Sequence, residues 1–369
     1  MDICVGSTYL HASTLLATKG LCDTEEMKIA GENMGREIAQ IPDVMENLLQ
    51  VNWIRLVQST LSQRNPNAVI IAARGTSDNA AHFMKYLIET RIGTPCGLAS
   101  PSAATLYESP MNYSETLVIL MSQSGQSPDL LIFAEKAKSA GALLLAFTND
   151  ATSPLANVVD QHIDLLAGEE IAIPATKSYV AEILAAYLFV CAWQGVEPLC
   201  QELPKAASAL IGAQNESETF VSHLDISQPI YVLGRGISYP NAREFALKLQ
   251  ETSLIPVQSH STSDFLHGPI ASLQKNDQVI LMSPFHLPET SFGEAPEKIR
   301  SVVNRLFWVG LPSQKIEGDI VLSGARASNE VTSSICDAVS FQIATRVLAI
   351  RNGIDPDHPR GLAKVTLTK

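Results

Sequence analysis

Short continuous apolar runs alternate along this chain with segments whose apolar residues recur every three or four positions. The runs at 68–73, 116–121 and 143–148 have the length and β-branched content of strands buried on both faces. A shorter strand is expected around 95–99. Between the strands, residues 80–89, a segment from Ala103 and residues 128–140 read as helices, and a long apolar helix is expected from about 177 to 193. Strand, loop and helix in this order predict a parallel sheet covered by helices. Upstream, Met34, Ile38, Ile41, Val44, Met45, Leu48 and Leu49 give residues 26–58 a helical period, interrupted by Pro42. Residues 1–25 show no periodicity and read as an N-terminal extension.

Residues 195–225, with Pro198, Pro204 and the polar patch Gln214-Asn215-Glu216-Ser217, read as a connector, and beyond it the pattern returns. Val118-Ile119-Leu120-Met121-Ser122 recurs letter for letter as Val279-Ile280-Leu281-Met282-Ser283, 161 positions on. Arg74-Gly75-Thr76-Ser77 is echoed by Arg235-Gly236-Ile237-Ser238 at the same offset. With one inserted residue, Phe83, Leu87 and Glu89 fall opposite Phe245, Leu249 and Glu251. Two matches at one offset in matching contexts predict a duplicated α/β domain. The boundaries expected are 26–200 for the first copy and 201–369 for the second.

The length of 369 residues agrees with two domains, and 46% hydrophobic against 17% charged residues suits large buried cores. A formal net charge of −12 argues against a nucleic-acid partner, while leaving room for an anionic metabolite held locally by N–H groups. Cys4, Cys22, Cys96, Cys191, Cys200 and Cys336 form no C-x-x-C pair or metal-ligand spacing. Scattered thiols, no apolar run of membrane-span length and no basic n-region point to a cytoplasmic chain without a membrane partner.

Ser122-Gln123-Ser124-Gly125-Gln126-Ser127 separates an expected strand from an expected helix. The helix start leaves unpaired N–H groups and a positive dipole end facing the loop, so the serines read either as helix caps or as a phosphate seat. In the second copy Ser283-Pro284-Phe285-His286 stands there; proline removes a donor and phenylalanine adds bulk, so a single phosphate seat is expected. Arg74-Gly75-Thr76-Ser77 is a second hydroxyl loop on the same sheet. Glu244, Lys248 and Glu251 share one helix face, as a solvated charge ladder or as part of a proton-transfer site with His267.

Taken together, these motifs resemble the sugar isomerase (SIS) domains, and within them the tandem isomerase half of glucosamine-6-phosphate synthase and its free-standing deaminase relatives. The resemblance spans about residues 26–369. Its carriers are the two hydroxyl loops, Glu170-Ile171-Ala172-Ile173-Pro174-Ala175-Thr176-Lys177, Glu244-Phe245-Ala246-Leu247-Lys248-Leu249-Gln250-Glu251, His267-Gly268-Pro269 and Asp357-His358-Pro359-Arg360-Gly361-Leu362-Ala363-Lys364. It implies two tandem three-layer α/β/α units. It also implies that Gly75, Thr76, Ser122, Gln123, Ser124 and Ser127 hold a sugar 6-phosphate, with Ser77 and the backbone from Ile173 to Ala175 near the sugar. Glu251 would move a proton between C1 and C2, and His267 would open the ring from a neighbouring subunit, which implies a homodimer. Lys364 would contact the open-chain sugar, and Lys248 and Glu244 would complete the polar cluster.

Thr262-Ser263-Asp264-Phe265-Leu266 departs from the family's Gly-Glu-Leu-Lys pattern before the histidine, keeping a carboxylate at Asp264. About 25 residues precede the resemblance, where the synthase carries a glutaminase, so ammonia release is expected rather than glutamine-dependent synthesis. The implied reaction is glucosamine-6-phosphate deamination with isomerisation, needing neither a metal nor another cofactor. Fructosamine-6-phosphate deglycation or ketose/aldose isomerisation is the enzymatic alternative, and sugar-phosphate sensing the non-enzymatic one.

Overall fold

The computed structural model describes residues 29–61, 64–107 and 109–364. The extension expected at 1–25 lies outside the described residues, as do residues 365–369 of the tail. The chain opens with three short helices, α1 (Glu32–Ala39), α2 (Ile41–Leu49) and α3 (Trp53–Leu61). The single helical period expected over 26–58 is therefore broken at Gln40 and again before Trp53. Pro42 sits in the first turn of α2, where its missing N–H costs nothing.

The first α/β unit follows: β1 (Ala68–Ala72), α4 (Thr76–Leu87), β2 (Cys96–Leu98), α5 (Pro101–Thr105), β3 (Thr116–Met121), α6 (Pro128–Ser139), β4 (Leu143–Thr148), α7 (Pro154–Val158), β5 (Gln161–Asp164) and α8 (Lys177–Gln194). Two helices, α9 (Leu203–Gly212) and α10 (Gln214–Ser222), occupy the stretch read as a connector. Pro204 lies at the start of α9, where it is tolerated, and the polar patch 214–217 forms the first turn of α10. Both helices pack against the last helix of the chain, which supplies the apolar partner that a short linker would lack.

The second unit comprises β6 (Ile230–Gly234), α11 (Tyr239–Ser253), β7 (Val257–Ser261), α12 (Thr262–Leu266), β8 (Gln278–Ser283), α13 (Ala295–Arg300), β9 (Leu306–Gly310), β10 (Ile320–Ser323) and α14 (Glu330–Arg351). Each unit has a five-stranded, wholly parallel sheet. The orders are β2-β1-β3-β4-β5 and β7-β6-β8-β9-β10, so the duplication read from the sequence is a duplication of topology. The repeat extends to backbone geometry: Gly75 and Gly236, 161 positions apart, turn the chain at φ 58° and φ 57°.

Strand residues alternate between two cores. Val69, Ile71, Leu117 and Ile119 of one sheet, and Val232, Ile280 and Val309 of the other, face a common interior that includes α8 and α14. Val118, Leu120 and Leu144 face α6 on the outside of the first sheet, and Leu233, Leu281 and Trp308 face α13 outside the second. Every residue from Lys177 to Cys191 of α8 is buried, the signature of a helix enclosed on all sides. Among the described residues one helix, α14, is long and apolar enough to cross a membrane, and 83% of that apolar window is buried inside the protein.

The C-terminal tail returns to the start of the chain. Asp357 accepts hydrogen bonds from the N–H groups of Asn33 (2.8 Å) and Met34 (2.8 Å), and Asp355 accepts one from Gly31 (2.9 Å). A carboxylate here satisfies the unpaired donors at the start of α1 and complements the helix dipole. Asp357→Ala is expected to lower the unfolding free energy by about 1–2 kcal/mol, read from urea denaturation. Unchanged stability would mean that the tail is held elsewhere.

Candidate active site

The strands of the first unit all end on one side, and two of their loops meet there. After β1, Gly75 adopts φ 58° and ψ −129°, a conformation that a side chain would oppose, and α4 begins at once with Thr76. The helix expected from residue 80 therefore begins four residues earlier. After β3, the Ser122 N–H donates to the Phe147 carbonyl (3.1 Å) and the Asn149 N–H to the Gln123 carbonyl (3.0 Å), which fixes the loop to β4. Gly125 has φ 61°, and a Cβ there would lie 2.3 Å from Ser153 Oγ, so the loop closes only with glycine. Arg74 Nε donates to Asp129 in the first turn of α6 at 2.7 Å, tying the two loops together.

The hydroxyl groups of the two loops are used in opposite senses. Ser122 Oγ accepts from the Gly125 N–H (3.1 Å) and Ser124 Oγ from the Gln126 N–H (3.3 Å). Ser127 stands at the cap position of α6, yet its side chain makes no cap hydrogen bond. The protons of Ser122 and Ser124 are thus left to donate outward, as an anion requires. In the other loop, Thr76 Oγ1 donates to Glu244 (3.1 Å) and Ser77 Oγ donates to Glu182 (2.6 Å), so with these carboxylates ionised the two hydroxyl groups present lone pairs instead.

From the second unit, α11 carries three charged side chains into the seam. Lys248 is fully buried, lies 3.4 Å from Glu244 and donates a hydrogen bond to Glu251. Glu244 also accepts from Asn79 Nδ2 (2.7 Å), so it joins α11 to α4. Burial raises the pKa of Glu244, opposed by Lys248 and reinforced by Glu251. Burial works against the Lys248 ammonium, but Glu244 and Glu251 more than offset it and the pKa rises. The ladder Glu244–Lys248–Glu251 is therefore not a solvated face.

The loop ahead of α8 and the tail complete the enclosure. Glu170, fully buried, accepts from the Thr176 N–H (3.0 Å), from Ser178 Oγ (2.6 Å) and from Lys364 Nζ (3.1 Å). Burial works against its charge, but Lys364 and the Ser178 and Thr176 bonds prevail and lower the pKa. Lys364 Nζ also donates to the Ala172 carbonyl at 2.6 Å. Glu37 of α1 in turn accepts from the N–H groups of Ile171 and Ala172, the latter at 3.2 Å.

These groups line a polar cleft of about 210 Å³. Gly75, Thr76, Ser77, Ser122, Gln123, Ser124, Ser127, Ile173, Ala175, Glu251 and Lys364, all named from the sequence, face it, together with Arg74, Ser178, Leu362 and Ala363. Lys248 and Glu244 lie behind Glu251. His267, just after α12, is exposed and does not line the cleft of its own chain. Glu37 and Glu182 had no signal in the sequence, because each is defined by a distant partner. Ser283-Pro284-Phe285-His286, the second copy's counterpart of the serine loop, packs against the segment between β10 and α14. The Arg326 guanidinium lies 5.0 Å from the Phe285 ring centroid, and His286 Nε2 is 3.2 Å from the Ala327 carbonyl.

Comparison with known proteins agrees with this architecture. The chain is 31% identical over 355 residues to glutamine–fructose-6-phosphate aminotransferase [isomerizing] of Gloeobacter violaceus, covering 90% of this chain and 58% of that protein. To the protein of the same name from Methanothermobacter thermautotrophicus it is 28% identical over 338 residues, covering 90% and 56%. The chain thus spans little more than half the length of these relatives. A solved structure from Silicibacter pomeroyi DSS-3, assigned as a phosphosugar isomerase, superposes with a TM-score of 0.77 at 29% identity, covering 89% of this chain and all of that one. Glucosamine-6-phosphate deaminase from Thermotoga maritima shares the fold, with a TM-score of 0.72 at 21% identity over 91% of this chain and all of that one. The SIS domain family itself matches residues 62–192 and 224–291, more than half of the sequence, with all of the first sheet and three strands of the second, so the chain belongs to the SIS domain family.

Proposed function

We propose that this chain acts on a phosphorylated sugar as an isomerising deaminase, converting glucosamine 6-phosphate and water to fructose 6-phosphate and ammonia. The observation that carries the reading is that one cleft holds both the outward-donating serine loop of the first unit and the Glu251 carboxylate of the second. The serine hydroxyls, the free N–H groups of the loop and the N-terminus of α6 suit a phosphate. Gly75, which lines the cleft with open space where a Cβ would stand, lets the ligand approach the backbone.

With the phosphate fixed, Glu251 acts on the other end of an open-chain hexose. It removes the proton from C2, giving an enolamine, and returns a proton to C1, giving a ketimine. Water adds at C2 and ammonia leaves. Lys248 beneath Glu251 holds the carboxylate in place. Lys364, bonded to Glu170 and to the Ala172 carbonyl, places a cation at the cleft wall where it can meet a sugar oxygen. Positioning and proton transfer carry the chemistry. Ring opening is assigned to His267 of a second copy, because the histidine is exposed and outside its own cleft; this makes the active form a homodimer. Ketose/aldose isomerisation would use the same proton transfer without the hydrolytic step.

Purified protein is expected to release ammonia from glucosamine 6-phosphate, with Glu251→Gln lowering kcat by about 10²–10⁴-fold. Isomerisation of ketose phosphates without ammonia release would select the alternative. Failure of every sugar phosphate to turn over, with tight binding retained, would leave the sensor reading. Mixing Glu251→Gln with His267→Ala subunits is expected to restore about a quarter of the wild-type activity if each site draws on both copies of a symmetric dimer. No recovery would place His267 outside the neighbour's site.

Lys248→Met leaves Glu244 and Glu251 without their cation and is expected to cost about 3–5 kcal/mol at pH 8. The loss should shrink toward pH 5. An acid whose folded pKa is raised, as that of Glu244 is, contributes stability fully below its unfolded value of 4.5 and loses it as pH rises through the folded value. Equal losses at both pH values, measured by urea denaturation, would mean that Lys248 acts by packing alone.

A further inference from the structure

Glu182 is a buried carboxyl that the reaction above does not use. It lies in α8, 1% exposed, and accepts a hydrogen bond from Ser77 Oγ at 2.6 Å, while Ser77 itself lines the cleft. The charged groups that act on Glu182 are both carboxylates: Glu244 from α11 and Glu170 from the loop ahead of α8. The site's lysines are bonded to those two, Lys248 to Glu244 and Lys364 to Glu170. Tyr179, on the same face of α8, gives its O–H to Asn241 at 2.7 Å. Among the described residues, no charged group of α2, α3, α4, α14 or the Ile88–Ile92 turn, which also pack on α8, figures in the charge acting on Glu182; Asp78, His82 and Lys85 of α4 are among those that do not. Burial, only partly offset by the Ser77 bond and reinforced by Glu244 and Glu170, pushes its pKa up to about 8.

We propose that Glu182 is a positioning residue that sets the direction in which the Ser77 hydroxyl donates: into the protein when Glu182 is ionised, and into the cleft when Glu182 carries a proton. An ionised carboxylate accepts hydrogen bonds only, so it holds the Ser77 proton and leaves the cleft facing lone pairs with a negative charge behind them. A protonated Glu182 donates its own O–H to Ser77 Oγ. The serine proton then turns toward the ligand, adding a donor for a sugar oxygen or phosphate and removing a repulsive charge. No bond to carbon is made or broken; one proton is exchanged with solvent. The cleft therefore holds a sugar phosphate more tightly on the acid side of the Glu182 titration. This inference rests on the phosphosugar reading of the cleft.

The test is the affinity for fructose 6-phosphate, measured by calorimetry from pH 7 to pH 9.5. That ligand has no amine to titrate, and its phosphate is already fully ionised over the range. Wild-type affinity should fall about tenfold across it, and Glu182→Gln, a neutral isostere that also donates to Ser77, should remove that slope. Parallel profiles for the two proteins would overturn the role given to Glu182. Absence of binding by the wild type at every pH would overturn the phosphosugar reading instead, and this inference with it. If Glu182→Gln does not fold, Ser77→Ala decides the matter: the slope should vanish with the hydroxyl, and a wild-type slope in Ser77→Ala would equally overturn the proposal.

Discussion

Lys248 is an ammonium group buried from water, and the architecture of the cleft follows from what surrounds it. An isolated ammonium in that position would cost several kcal/mol, so its presence requires acceptors at fixed places. Two come from its own helix, Glu244 and Glu251, and Glu244 is held in turn by Thr76 and Asn79 of the first unit. Arg243 strengthens the same seam, reaching Asp78 at 2.9 Å and Asn79 at 2.9 Å. The helix that carries Glu251 is thereby pinned to the helix that starts at the first hydroxyl loop. A proton-transfer group needs to be placed within a fraction of an ångström of its target, and a network satisfied on both sides of a seam achieves this better than a loop would.

The neighbouring loops show how one residue type serves two purposes through the direction of its proton. Serines that accept from backbone N–H groups, as Ser122 and Ser124 do, keep their protons for an anion. Hydroxyl groups backed by buried carboxylates, as Thr76 and Ser77 are, turn their protons inward while those carboxylates are ionised. The division gives the cleft donors at the serine loop and, with the carboxylates ionised, acceptors at the other. It also explains why a stretch rich in serine could be read equally well as a helix cap: at Ser127 the cap position is occupied and the cap bond is not made.

Much of this was legible in the sequence because parallel strands covered on both faces must be continuously apolar, and β3 and β8 preserve the same five letters. The helix face of Glu244, Lys248 and Glu251 was visible too, although only burial could separate a functional cluster from a solvated ladder. Other features carried no local signal. Asp357 holds Met34 across 323 positions of sequence, and Glu37 supports the backbone of Ile171 and Ala172, so neither could be found by scanning neighbours. The helices α9 and α10 were hidden for a different reason: Pro204 and the polar patch are breakers only inside a helix, and here they lie at helix starts. The start of α4 at Thr76 was missed because Gly75 performs the turn alone.

The duplication supplies an internal comparison for Glu251 itself. In the alignment of the two copies, Glu89 stands opposite Glu251. Glu89 lies on the surface and pairs with Lys85 at 2.5 Å, with more than a third of its side chain exposed. Glu251 occupies the equivalent position, yet it rests on a lysine that solvent does not reach and opens onto the cleft. The residue type is the same, but Glu89 lies in a π-helical turn, Ile88–Ile92, that follows α4, whereas Glu251 lies within α11. The residue before it on the inner face differs too: Lys248 in the second copy stands where Tyr86 stands in the first. A glutamate at this position therefore gains chemical potential only when a buried cation fixes it and a partner unit encloses it. The first copy carries the serine loop and the second the buried cation, so neither half alone lines the whole cleft.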